Sequence, residues 1–124
     1  MMGFFSRLFK PNSVKMAEMK KAKFSEFEKT FGGDKEFENN AKATWLVSRG
    51  NDLGDRGMLD DAQQDFEEAI RLQPDHLPAH VSRIIVYKKR GDKNRVEQLL
   101  KEMPEVMKID GKVVATKLDA LQQL

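Results

Sequence analysis

GMLDDAQQDFEEAIRLQP, residues 57–74, has the apolar spacing of an amphipathic helix, opened by a glycine and closed by a proline. Its small residues decide how it is read. Ala62 and Ala69 flank Phe66 at four- and three-residue spacing, on the face that a free-standing helix would fill with leucine. Alanines around one aromatic ring leave space at a close helix crossing, so the stretch expects a partner helix whose bulk enters that space. Asp60, Asp61, Asp65, Glu67 and Glu68 are expected to form its solvated face, because paired catalytic carboxylates need a cleft that this pattern does not supply.

Moving outward, the sequence repeats with a lag of 34 residues. Val47-Ser48-Arg49 falls on Val81-Ser82-Arg83, Arg56-Gly57 on Arg90-Gly91, and Glu68 on Glu102. Leu53 pairs with Tyr87, Ala62 with Val96, Phe66 with Leu100 and Leu72 with Val106, so apolar character recurs where identity fails. A third register begins where Ala115-Thr116-Lys117 meets the Val-Ser-Arg positions. A period of this length marks stacked supersecondary units. Gly57 and Gly91 are placed to supply the turns, and Gly50 is expected to admit the backbone of the partner helix. One continuous core should contain Leu53, Phe66, Ala69, Tyr87 and Leu100.

Leu46, Gly50, Leu53, Ala62, Phe66, Ala69 and Pro74, with Gly57 in the turn, have the spacing of the tetratricopeptide repeat, and the chain resembles that family over residues 43–124. A weaker second copy uses Ile84, Tyr87, Gly91, Val96, Leu100 and Met103. Arg49 and Arg83 stand where the family has leucine, His80 where it has a large apolar residue, and Lys108 where it closes with proline. Pro104 lies inside the second copy's second helix and should end it near Met103.

The resemblance implies an all-α fold, a short α-solenoid of antiparallel helix pairs with N- and C-terminal capping helices. The expected organisation is an N-terminal amphipathic arm at 1–13, a helix at 14–33, and a repeat domain at 34–124. Within that domain the repeats cover about 43–76 and 77–110, and a capping helix covers 111–124. Asp34 is the expected N-cap of a helix running to Arg56.

The resemblance also implies a function: a non-enzymatic module holding a partner protein or peptide on the face lined by the first helix of each repeat. The matching positions are Thr44, Val47, Asn51 and Asp55, then Val81, Ile85, Lys88 and Lys89, with Ala115 added by the terminal helix. Such a groove is apolar in the middle and basic at one edge, which suits a short ligand with apolar anchors and some acidic character.

Charge and composition narrow the alternatives. Residues 1–31 carry a net +4, residues 32–75 a net −6 and residues 76–124 a net +4, giving the overall +2. That segregation suggests complementarity within the chain or self-association between copies, and argues against a continuous nucleic-acid footprint. There is no cysteine, so a thiol nucleophile and thiolate metal sites are excluded. His76 and His80 have a helical metal-ligand spacing, but Pro78 lies between them and a third ligand is missing, so no metal is expected. No glycine-rich phosphate loop or nucleophile elbow is present, and no cofactor is expected.

The arm MMGFFSRLFK carries Phe4, Phe5, Leu8 and Phe9 at helical spacing beside Arg7 and Lys10. A short apolar face with flanking cations suits an anionic membrane surface, so the second functional reading is a peripheral membrane-associated assembly factor attached through residues 1–10. The expected location is cytoplasmic, with peripheral membrane contact under that second reading.

Overall fold

A computed structural model of the protein describes residues 34–124. The expected arm at 1–13, including Phe4, Phe5, Leu8 and Phe9, and the expected helix at 14–33 lie outside the described residues.

The described chain is mostly helical. Helix α1 spans Lys35–Asp55, α2 Leu59–Leu72, α3 Leu77–Lys89 and α4 Lys93–Glu102. Asp34 caps α1 as expected, its carboxylate accepting from Phe37 N at 3.3 Å. Two tight turns join α1 to α2 and α3 to α4, and they are copies of one another. Gly57 and Gly91 both have positive φ, 81° and 74°. Met58 N donates to Leu53 O at 2.9 Å, and Asp92 N, 34 residues on, donates to Tyr87 O at 3.1 Å. Gly57 N donates to Gly54 O at 3.0 Å, and Gly91 N to Lys88 O at 3.1 Å.

The core runs from Ala43 through Leu46, Leu53, Phe66 and Ala69 to Leu77, Ile84, Val86 and Leu99. Tyr87 and Leu100 pack against it half-buried. Gly50 makes close approach possible, although the group it admits is the Phe66 ring and not a helix backbone. A Cβ at position 50 would lie 2.5 Å from Phe66 Cε1. Arg49, at a position where leucine was expected, is buried and neutralised: its guanidinium donates twice to Asp65, at 2.8 and 2.6 Å, and lies 4.7 Å from the Trp45 ring centroid.

The C-terminal part departs from the expected all-α organisation. Instead of a capping helix at 111–124, two antiparallel strands, β1 (Val106–Ile109) and β2 (Lys112–Thr116), are followed by a five-residue helix, α5 (Lys117–Leu121). Three local causes act together. Pro104 forces Met103 into an extended conformation (φ −61°, ψ 131°), which ends α4 at Glu102. Asp110 and Gly111 then both take positive φ, 54° and 74°, as a two-residue hairpin turn requires. Val113, Val114 and Thr116 are β-branched and favour the strand that follows. The second helix pair therefore stops at Glu102, and residues expected to complete a repeat at 77–110 form β1.

Candidate partner-binding surface

The residues expected to line an open groove are mostly inside the molecule. Val47 and Val81 are 1% and 2% exposed, and Asn51 and Ile85 are buried with them. Thr44, Asp55 and Ala115 are half-buried, while Lys88 and Lys89 are exposed. Asn51 Oδ1 accepts from Ser82 Oγ at 2.9 Å, so this asparagine ties α1 to α3. These buried positions cannot form an accessible groove as the chain stands.

The chain's own C-terminal segment also packs on these two helices. Strand β1 packs on α1, and α5 packs on α3, so the segment after α4 lies against both first helices. Met107 and Ala120 join the core from this segment, with Ile109, Ala115 and Leu124 packed beside them. Side-chain carboxylates fasten β1 and the turn after it: Lys108 N donates to Asp75 Oδ2 at 2.8 Å and Asp110 N to Glu36 Oε1 at 2.6 Å. Lys117 N donates to Glu105 O at 2.7 Å and closes the open end of the hairpin. Between the acidic middle and the basic end, Arg90 pairs with Asp60.

Part of what the cover presents outward is apolar. Val113 and Val114 are 53% and 51% exposed and Leu118 is 71% exposed, with Leu121 nearby in sequence and also exposed. The register explains the two valines. Met107 pairs with Ala115 and Lys108 with Val113, which leaves Val114 as an extra residue in β2. Such a bulge breaks strict alternation, so consecutive side chains can both avoid the core. Lys108 and Lys112 are exposed on the same hairpin.

A second feature lies at the α3–α4 turn. A cavity of about 360 Å³ is lined by Lys88, Gly91, Asp92, Lys93, Val96 and Glu97. Its charges are of both signs, and the Asp92 carboxylate is already engaged in capping α4 through Arg95 N at 3.1 Å. No single ligand charge is favoured there.

The histidines hold the junction between α2 and α3. His80 Nε2 lies 2.8 Å from Pro74 O and must be the protonated nitrogen, because a carbonyl only accepts. His76 Nδ1 lies 3.1 Å from Gln73 Oε1, which also accepts from Asn40 Nδ2 at 3.0 Å. The opposite ring nitrogens, His76 Nε2 and His80 Nδ1, are buried without a hydrogen-bond partner. Burial lowers both histidines from their ordinary value, His76 to about 4, so both are neutral at pH 7. Among the described residues no group of three or more His, Cys, Asp or Glu side chains is placed to hold a metal ion.

No described helix is long and apolar enough to cross a membrane. No protein-family model matches this chain, and neither a curated protein nor a solved structure matches it significantly. The 34-residue register places Val113, Val114 and Leu118 in a capping helix, and so hides the surface on β2 and α5. The signal that could have found it is Asp110-Gly111 between two strand-favouring runs.

Proposed function

We propose that this chain is a non-enzymatic protein-interaction module of the tetratricopeptide-repeat kind, and that it meets its partner on the outer side of the C-terminal cover. The observation that carries this reading is the exposed aliphatic group Val113, Val114, Leu118 and Leu121. The same short segment fastens its inner side to the core through Met107 and Ala120. A segment ordered on one side and apolar on the other has the character of a docking surface, since solitary exposed aliphatic residues are ordinary but a group of them within nine residues invites a partner. The 34-residue register, the copied turns and the Gly50–Phe66 approach support the repeat resemblance.

The partner is another protein or peptide, and self-association is the competing use of the same face. Co-purification from native cells tests the reading with the Val113→Glu/Leu118→Glu double variant. Both sites are exposed, so the helical signal should persist while partner recovery is lost. Full recovery with this variant overturns the reading. A second reading, peripheral membrane attachment, draws support from Phe4, Phe5, Leu8 and Phe9 in the sequence. It predicts that the full chain sediments with anionic vesicles and that a chain lacking residues 1–13 does not.

A further inference from the structure

Building on the reading of β2 and α5 as the contact face, we propose that the outer edge of β2 receives an extended peptide strand carrying alternating aliphatic and acidic side chains. The two edges of the hairpin are unequal. Asp75 occupies the β1 edge by accepting from Lys108 N, and Glu36 holds the turn by accepting from Asp110 N. Strand β2 has β1 on one side and no strand on the other among the described residues. An open edge offers main-chain donors and acceptors to an added strand, and nearby apolar side chains then select among sequences.

Three observations choose a short peptide over other occupants. First, the exposed aliphatic side chains amount to a few hundred Å² at most, against the roughly 800 Å² per partner that a stable pair of copies buries. Second, β2 is five residues long and bulged at Val114, so its edge has room for a short added strand and not for a long edge-to-edge pairing of copies. Third, an open strand edge cannot enter hydrocarbon without leaving main-chain groups unsatisfied, so a lipid surface is a poor occupant.

Charge sets the rest of the peptide's chemistry. Lys112 begins β2 and Lys108 lies across from Val113, both exposed. Lys117 follows β2 and reaches Glu105 at 3.8 Å. Of the nearby acids, Asp119 is engaged by Thr116 Oγ1 at 3.0 Å. Asp110 sits in the hairpin turn, away from the strand's middle. A strand laid along β2 therefore meets lysines around its ends and valines at its centre, which favours glutamate or aspartate flanking aliphatic residues.

Nuclear magnetic resonance on the ¹⁵N-labelled full chain tests the proposal, with the capped peptide Glu-Val-Glu-Val-Glu-Val as probe. The amides of Lys112–Thr116 should shift and gain protection from hydrogen exchange. Replacing the peptide's glutamates with lysine should weaken binding by about tenfold or more. A peptide with N-methylated alternate amides should not bind, because it cannot form the ladder. The proposal is overturned if the N-methylated or lysine peptide binds equally well, or if no amide of β2 responds. It is equally overturned if phosphatidylserine vesicles, and not the peptide, perturb β2, or if sedimentation shows copies pairing through this edge. Failure here, together with loss of partner by Val113→Glu/Leu118→Glu, removes strand addition and leaves the docking surface standing. Retention of every partner by that variant removes the docking surface itself.

Discussion

The two helix pairs share a turn and differ in their interiors. Around the turns the backbone bonds recur at 34-residue intervals, down to Arg56 N on Asp52 O at 3.2 Å and Arg90 N on Val86 O at 3.1 Å. Inside, the residues have been exchanged. Gly50 against Phe66 becomes Ile84 and Leu100 at the matching positions, trading a small and a large side chain for two of middle size. Arg49 has Asp65, but Arg83 has Leu99 at the position of that partner. Burial accordingly lowers the Arg83 pKa, and its Nε has no hydrogen-bond partner. The two pairs thus share what the backbone must do at a turn, while their packing needs only matched volumes and charges that are neutralised or reach solvent.

The largest effects should come from the first pair's interior. Phe66→Ala empties a fully buried site and should cost about 3–5 kcal/mol in urea unfolding. The matching Leu100→Ala, at a half-buried site, should cost clearly less. Asp65→Ala should rival Phe66→Ala, at about 3–5 kcal/mol, because it leaves the Arg49 guanidinium buried without its carboxylate. Arg49→Leu combined with Asp65→Leu should recover most of that loss. Equal costs at Phe66 and Leu100 would show that the two interiors are alike after all.

Acid separates the pairs in a second way, since both histidines lie at the start of α3, where the first pair has Lys42 and Leu46. His76 is lowered to about 4 by burial, so the unfolded chain, titrating near 6.5, binds its proton more readily. Stability should therefore be complete above pH 6.5 and fall as pH drops toward 4, by roughly 3 kcal/mol from this group. Denaturant melts across that range should show the slope, and His76→Gln should reduce it to the part that His80 contributes. An unchanged slope would mean that His76 keeps its ordinary value.

Much of this was legible in the sequence, and the limits have physical causes. Helix ends from Asp34 to Glu102 follow from caps, glycine turns and Pro104, all local signals. The hairpin was hidden because the 34-residue lag extends to Ala115-Thr116-Lys117, and following it overrode the Asp110-Gly111 turn signal. The burial of Val47, Asn51, Val81 and Ile85 could not be read locally. Asn51 is held by Ser82 on α3, 31 residues away, and α1 packs along α3. Long-range covering leaves no mark in the periodicity of the helices it covers.

A middle-sized effect tests the exchange of volumes directly. Gly50→Ala places a methyl group where the Phe66 ring already lies and should cost about 1–3 kcal/mol through overpacking. Phe66→Leu in the same chain shortens the opposing side chain, as Leu100 does in the second pair. If packing volume is what the two positions share, the double variant should be more stable than the sum of the single costs requires. Additive costs would sink the idea that Gly50 and Phe66 act as one unit.

The smallest expected difference lies at the helix starts, where the shared backbone carries unequal caps. Asp92 caps α4 through Arg95 N, whereas Met58, at the same place before α2, provides no side-chain bond. Its side chain is exposed, so replacing it disturbs little packing. Met58→Asn introduces an acceptor without adding charge next to Asp60 and Asp61, and should stabilise by up to about 1 kcal/mol. Asp92→Ala should destabilise by a similar amount. Thermal melts of the two variants would decide whether the turns are interchangeable. If Asn at position 58 gains nothing while Ala at position 92 costs about 1 kcal/mol, the bonds around Met58 N and Gly57 N do not orient that residue for capping, and the likeness of the two turns ends at the backbone.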